Sequence, residues 1–100
     1  MNATRTRAIE ELRRMVLDAL GDHAAEVWLF GSCARGKIRN ASDIDIGILA
    51  HDRLPAGFFG KLEDEIEESD IPYHVDLVDL RSVDPAWLDA IRREGVNWRE

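Results

Sequence analysis

The sequence predicts an α/β fold in which helices pack on a small mixed β-sheet, in the order α-β-β-α-β-α. Three observations predict it: apolar residues recur at helical spacing near both ends, isoleucines alternate with other residues in a central segment, and Gly or Pro separates the segments. The 100 residues can bury one modest core. We therefore expect a single domain over residues 1–100.

The chain begins with a predicted helix over residues 5–20 and a short buried strand over residues 26–30. The strand is predicted because four consecutive apolar residues run directly into Gly31. Gly21 is available to end the helix. The helix is predicted by apolar residues at helical spacing, namely Ile9, Leu12, Val16 and Leu20.

The second predicted strand, over residues 43–49, has one apolar and one polar face. Alternation places three isoleucines on one face and Asp43, Asp45 and Gly47 on the other. Residues 32–42 are predicted to form a turn, a short helical piece and a loop. The twelve residues between the two strands permit an antiparallel pairing.

A second helix is predicted to open at Leu54-Pro55, and a third strand covers residues 73–80 after a break at Pro72. The longer helical link between strands two and three favours parallel pairing. The apolar stripe of this helix consists of Phe58, Phe59, Leu62 and Ile66.

The last predicted helix runs from Asp84-Pro85 to about Glu94, with Asp84 as its N-cap and Gly95 as its terminator. Its predicted inward residues are Trp87, Leu88 and Ile91. Trp87 and Trp98 are either core residues or part of an exposed partner surface, and Trp98 is the better candidate for the surface because it lies near the terminus.

Composition and charge exclude several classes of function. A net charge of −7 argues against long nucleic acids, because binding a phosphate backbone needs clustered Lys and Arg. No apolar run approaches the length of a membrane span, and the N-terminus lacks an apolar signal core. The lone Cys33 excludes an internal disulfide and fits a reducing cytoplasm.

The motif with the most chemical content is a Gly-Ser pair followed, after ten residues, by Asp-x-Asp. Gly31 ends a strand and lets the backbone approach a phosphate closely, while Ser32 adds a hydroxyl donor. If Ser32 begins a short helix, the free amides of its first turn face the anion. Alone, a Gly-Ser pair is an ordinary turn, so the spacing carries the prediction.

Asp43 and Asp45 are the predicted metal ligands. Two residues apart on a strand, they share one face with Cα atoms about 6.6 Å apart. Carboxylates there suit Mg²⁺, which prefers oxygen ligands and completes its octahedron with substrate phosphates and water. Two ions about 4 Å apart would clamp both oxygens of an in-line phosphoryl displacement. The alternative is a polar strand face exposed to solvent.

The third strand offers two further carboxylates, Asp76 and Asp79, on opposite faces. If strands two and three are parallel, Asp76 lies level with the aspartate pair, and we predict that it binds one metal and helps to take the proton from an attacking hydroxyl. Asp79 is then a strand-end or capping residue. His74 shares the face of Asp76 and is a candidate to line the site.

These residues give the chain its resemblance to a known family. It resembles the minimal nucleotidyltransferase (MNT) family of the DNA polymerase β-like nucleotidyltransferase superfamily, over nearly its whole length. The residues that carry the resemblance are Gly31-Ser32-Cys33-Ala34-Arg35-Gly36, Ser42-Asp43-Ile44-Asp45-Ile46 and Val75-Asp76-Leu77-Val78.

The resemblance implies a polymerase β-like nucleotidyltransferase fold and a concrete activity. Gly31 and Ser32 would hold the β- and γ-phosphates of a nucleoside triphosphate, and Asp43, Asp45 and Asp76 would ligate two Mg²⁺ ions. MNT proteins of toxin–antitoxin modules act as antitoxins, transferring AMP from ATP to a tyrosine of a HEPN-type toxin.

Several alternatives stay open. The chain could instead be a binding antitoxin that blocks its toxin sterically, or it could transfer the nucleotide to a small molecule with a helper subunit. Arg35 either contacts phosphate or makes a structural hydrogen bond to its loop. Because so short a chain leaves little room for a second pocket wall, a partner protein or a second copy is expected to supply the acceptor.

Overall fold

Within residues 3–31 and 43–99, the fold is a four-stranded sheet with three α-helices packed on it. The computed structural model describes residues 3–31 and 43–99. The strands, in the spatial order β3-β2-β1-β4, are β1 (Ala25–Phe30), β2 (Ile44–Ala50), β3 (Val75–Asp79) and β4 (Val96–Asn97). The helices are α1 (Ala3–Leu20), α2 (Phe58–Glu68) and α3 (Pro85–Glu94).

The strand pairing follows the lengths of the connections. β1 pairs with β2 antiparallel, and β2 pairs with β3 parallel through the α2 crossover. Both pairings confirm the sequence prediction. None of the helices in the described ranges combines the length and apolar character needed to cross a membrane.

The main core lies between one face of the sheet and helices α1 and α2. Ile46 and Ile48 of β2 are fully buried there, as is Val27 of β1. Alternation in β2 sends every isoleucine to this face. The helices contribute apolar residues at helical spacing, namely Ala8, Leu12, Val16, Leu20, Leu62 and Ile66.

The opposite face of the sheet carries α3 over β1. The rings of Phe30 and Trp87 meet edge to face with centroids 5.9 Å apart. Beside them the buried side chain of Leu80 closes over Gly47, where an added Cβ would lie 2.8 Å from its Cδ1 atom. The absence of a side chain at Gly47 therefore makes room for this second, smaller apolar cluster.

Several predicted element boundaries were wrong. Helix α1 begins at Ala3 and β3 begins at Val75, each two residues from its predicted start. Helix α2 begins at Phe58 and not at Leu54-Pro55, because Gly57 has φ 77° and ends the preceding turn in the left-handed region. β3 ends at Asp79, since Leu80–Ser82 forms a short 3₁₀ turn capped by the Asp79 carboxylate. The capping role expected of Asp79 is thus confirmed.

β4 was not predicted, and it reverses the preferred interpretation of Trp98. The short strand pairs antiparallel with β1, and the Trp98 N–H donates to the Val27 carbonyl at 2.8 Å. The Trp98 side chain is 6% exposed and belongs to the main core. A two-residue strand has too few residues to show a period, so sequence alone gave no signal for it.

Candidate functional site

The candidate site lies where the end of β1 meets the beginnings of β2 and β3. In the sheet register Asp45 lies opposite Phe30 on β1 and opposite Asp76 on β3. Since directly paired residues point to the same face, the Asp45 and Asp76 side chains leave that face on adjacent strands about 4.8 Å apart. The register therefore brings two of the predicted site carboxylates together.

Gly31 lies against the first of these carboxylates. A Cβ atom at Gly31 would be 3.2 Å from Asp45 Oδ2, which is tighter than an ordinary contact. The backbone that leaves β1 thus passes directly beside the Asp45 carboxylate. This is the close approach that the Gly31 prediction required, because a larger residue would press on the carboxylate.

Asp43 lies immediately before β2 and is held through its backbone. Arg5 of α1 donates a hydrogen bond from its guanidinium to the Asp43 carbonyl oxygen at 3.0 Å. The same guanidinium lies over the Tyr73 ring, 5.6 Å from its centroid. Arg5 therefore ties the start of β2 to α1 and to the segment before β3. Nothing in the sequence pattern indicated this contact.

His74 contacts Asp76 directly. Its Nε2 atom lies 3.1 Å from Asp76 Oδ1, and both side chains are more than half exposed. The two residues share a face of β3, as parity predicts. His74 therefore lies at the edge of the carboxylate cluster formed by Asp45 and Asp76, within hydrogen-bonding distance of the Asp76 carboxylate.

Asp79 lies on the other face of β3. It pairs with Ile48, whose side chain is buried in the main core, and its carboxylate accepts a hydrogen bond from the Arg81 N–H at 3.0 Å. This contact accounts for Asp79 structurally and leaves Asp76 as the strand-three carboxylate beside Asp45.

Two predicted phosphate-binding residues cannot be placed. Ser32 and Arg35 lie outside the described residues, as does the rest of the segment 32–42. Of the Gly-Ser pair, the structure therefore locates Gly31 alone. The roles predicted for Ser32 and Arg35 stay predictions.

The oxygen donors of the carboxylate cluster suit Mg²⁺, provided that the bound substrate supplies the remaining ligands. Within residues 3–31 and 43–99, no group of three or more His, Cys, Asp or Glu side chains is arranged to hold a metal ion. Mg²⁺ commonly takes one or two protein carboxylates and fills its octahedron with phosphate oxygens and water. The adjacent Asp45 and Asp76 carboxylates meet that requirement, and Asp43 is the third candidate ligand.

A second charged cluster, which sequence reasoning missed, lies at the other end of β1. The Glu26 carboxylate accepts two hydrogen bonds from Arg92 of α3 at 3.0 and 2.8 Å, and one from the Trp28 indole at 2.9 Å. The Nε2 atom of His51 is 2.8 Å away. These partners, Arg92 first, lower the pKa of Glu26 to about 2. The cluster joins α3 to the sheet and lies apart from the Asp45 carboxylate.

The fold and the site geometry define the class of protein. A small mixed sheet places Gly31 beside Asp45, which is paired with Asp76 on the adjacent strand. Residues 20–97 match the polymerase beta nucleotidyltransferase family, so the chain belongs to that family. Its predicted fold is thereby confirmed.

Individual relatives narrow the comparison. The chain is 34% identical over 67 residues to the probable protein adenylyltransferase MntA of Haemophilus influenzae. That match covers 67% of this chain and 59% of the relative, so the chain spans less than two thirds of the curated relative's length.

Solved structures of toxin–antitoxin complexes share the fold. One contains the tri-AMPylated Shewanella oneidensis HEPN toxin with its MNT antitoxin, with a TM-score of 0.66 and 26% identity over 94% of this chain and 71% of the matched chain. Another is a toxin–antitoxin structure with AMP-PNP, with a TM-score of 0.60 and 30% identity over 87% of this chain and 72% of the other. The family resemblance stated from sequence is confirmed.

Proposed function

We propose that this chain is a Mg²⁺-dependent protein adenylyltransferase of the cytoplasm. It transfers AMP from ATP to a tyrosine hydroxyl of a HEPN-type toxin and so acts as an antitoxin. The observation that carries the proposal is the register of three strands, which sets Gly31, Asp45 and Asp76 side by side. The similarity to the MntA adenylyltransferase and to complexes of HEPN toxin with MNT antitoxin supports the choice of reaction and partner.

Each site residue has a distinct role in this proposal. Gly31 and Ser32 would hold the β- and γ-phosphates, and Asp43, Asp45 and Asp76 would hold two Mg²⁺ ions. Bound Mg²⁺ neutralises charge on the phosphates and on the reacting oxygens. The acceptor oxygen attacks the α-phosphorus, the bond to the β-phosphate oxygen breaks and pyrophosphate leaves, while Asp76 helps to take the hydroxyl proton.

The exposure of the carboxylate cluster supports a site that is shared with a partner. The Asp76 and His74 side chains are more than half exposed, so the carboxylate cluster opens to solvent on the β3 side. Ligand sites usually bury most of the ligand. A partner that carries the acceptor hydroxyl would close this side of the site.

The proposal is tested by replacing Asp45 with alanine. Asp45→Ala is expected to reduce AMP transfer at least about 100-fold, because it removes the proposed metal-binding carboxylate that lies beside both Gly31 and Asp76. Transfer is measured from labelled ATP and Mg²⁺ to the purified HEPN-type protein, with intact-mass detection of each added AMP. The matched control is Asp64→Ala, an exposed carboxylate on α2 that should transfer at the wild-type rate.

Three results would contradict the proposal in different ways. Absence of AMP transfer by folded wild-type protein would remove the adenylyltransferase assignment. Full neutralisation of the toxin by Asp45→Ala would favour a binding antitoxin that blocks its partner sterically. Nucleotide transfer to a small molecule, with no modification of protein, would change the acceptor.

A further inference from the structure

We propose that the groove along the open edge of β3 receives the acceptor segment of the partner, an extended and basic stretch of polypeptide. The inference rests on the proposed adenylyl transfer and adds the location and chemistry of acceptor recognition. It concerns a surface formed by α2 and β3, distinct from the Gly31–Ser32 pair.

The groove, with a volume of about 390 Å³, runs between α2 and β3. The residues that line it come from one face of α2, from the α2–β3 connection and from β3. They are Glu63, Ile66, Glu67, Ile71, Tyr73, His74, Val75, Asp76 and Leu77.

The groove borders the β3 edge of the sheet, where alternate backbone groups have no partner strand within residues 3–31 and 43–99. β3 is the outer strand of the sheet on this side. The His74 carbonyl oxygen accepts a hydrogen bond from the Ile44 N–H at 2.9 Å, so His74 and Asp76 turn their backbone groups toward β2. The backbone N–H and C=O groups of Val75 and Leu77, which alternate with these residues, point away from β2 toward the open edge. An extended segment can pair with such an edge as an added strand.

The chemistry of the lining selects a basic segment. Glu63 and Glu67 lie one helical turn apart and are exposed on the same side of α2. Asp76 adds a third carboxylate to the lining, alongside apolar side chains such as Ile66 and Leu77. Lys and Arg are absent from the described residues that line the groove. Arginine or lysine beside the acceptor would therefore meet complementary charge.

The groove also reaches the reaction site. Asp76 is both a lining residue and the carboxylate opposite Asp45 in the sheet register. A hydroxyl carried on a segment in the groove would thus approach the carboxylate assigned to take its proton. The same groove would hold the flanking basic residues near Glu63 and Glu67, which fixes the position of the segment.

Peptide binding in the absence of ATP tests the groove separately from catalysis. The probe is a fluorescein-labelled peptide with one tyrosine between arginines and lysines, and its counterpart has glutamate at each basic position. The variant Glu63→Lys/Glu67→Lys reverses the groove charges. The matched control, Asp64→Lys/Glu68→Lys, makes the same charge change at the same spacing on α2, outside the groove.

We expect the groove variant to bind the basic peptide about tenfold more weakly than wild type, since two rim charges are reversed, while the control changes binding by about twofold or less. Wild type should prefer the basic peptide to its acidic counterpart. Affinity for a nonhydrolysable ATP analogue should be the same in both variants.

Equal loss in both variants, or no binding of the basic peptide to wild type, would overturn the groove proposal while leaving adenylyl transfer intact. Conversely, selective loss of peptide binding in the groove variant, with no AMP transfer by wild type, would support the groove and overturn the proposed reaction.

Discussion

At the scale of single residues, strand parity and one close approach determine which side chains meet at the site. Asp45 and Asp76 share a face because they are directly paired across β2 and β3, and Gly31 passes within contact distance of Asp45. The sequence predicted the parity of each strand, because side chains alternate with a period of two. Which side chains meet across neighbouring strands is known only from the register of the sheet.

The parity assignment predicts opposite outcomes for the two β3 carboxylates. Asp76→Asn should lower AMP transfer by about 100-fold or more, since it removes a proton acceptor and metal ligand. Asp79→Asn should leave transfer within about twofold of wild type, because its side chain lies on the other face and asparagine can still cap the 3₁₀ turn. Comparable losses in both variants would contradict the assignment. The test is to measure single-turnover rates of AMP transfer for wild type and both variants.

The close approach of Gly31 predicts a loss of activity without a loss of stability. Gly31→Ala places a methyl group 3.2 Å from Asp45 Oδ2, so the carboxylate must shift. We expect transfer to fall about tenfold or more, because misplaced catalytic groups lower rates steeply. Thermal unfolding should stay near wild type.

The matched control for Gly31 is Gly60→Ala. An added Cβ at Gly60 meets no atom within 4 Å, and the residue lies in helix α2. Gly60→Ala should retain full transfer and raise the free energy of unfolding by about 0.5–1 kcal/mol. An unchanged transfer rate in Gly31→Ala would show that the Asp45 position is not restricted by this contact.

At the scale of helices and strands, the Glu26 cluster attaches α3 to the sheet. Arg92 reaches from α3 to Glu26 on β1, where Trp28 and His51 also contact the carboxylate. The apolar attachment of α3 includes the buried side chain of Ile91 and the edge-to-face pair of Trp87 with Phe30. The Arg92–Glu26 hydrogen bonds add a polar attachment to these apolar contacts.

The Glu26 cluster predicts a specific acid sensitivity. The pKa of Glu26 is lowered from 4.5 to about 2 in the folded protein, chiefly by the Arg92 hydrogen bonds. Its contribution to stability is thus complete above about pH 4.5 and is lost as the pH falls through about 2. At neutral pH Glu26→Gln should lower the free energy of unfolding by about 1–3 kcal/mol.

Denaturant unfolding at a series of pH values measures this effect. The difference between wild type and Glu26→Gln should narrow as the pH falls from about 4.5 toward about 2. Glu94→Gln, at an exposed carboxylate near the end of α3, should follow wild type throughout. A difference that is independent of pH would assign the loss to packing and not to the charge of Glu26.

At the scale of the whole molecule, the last residues of the chain complete the sheet. β4 lies beside β1, and Trp98 enters the core that also contains α1. Arg99 donates to the Gly21 carbonyl at 2.7 Å and so joins the chain's last described residue to the end of α1. Residues distant in sequence therefore stabilise one another here.

Trp98→Ala should lower the free energy of unfolding by about 3–5 kcal/mol, because a large buried side chain is removed from the core. Val96→Ala, two residues earlier in β4 and 56% exposed, is the matched control and should change it by about 0.5 kcal/mol or less. Urea unfolding measures both. Equal and small effects would place Trp98 outside the cooperative core.

The sequence by itself determined the three helices, the three longer strands, their pairing directions and the face on which each aspartate lies. These features follow from local periodicity, turn residues and connection length. Only the tertiary structure decided that β4 forms, that Trp98 is buried and that Arg5, Arg92 and Leu80 make their contacts. Each depends on residues far apart in the chain, and no local pattern encodes the register that brings them together.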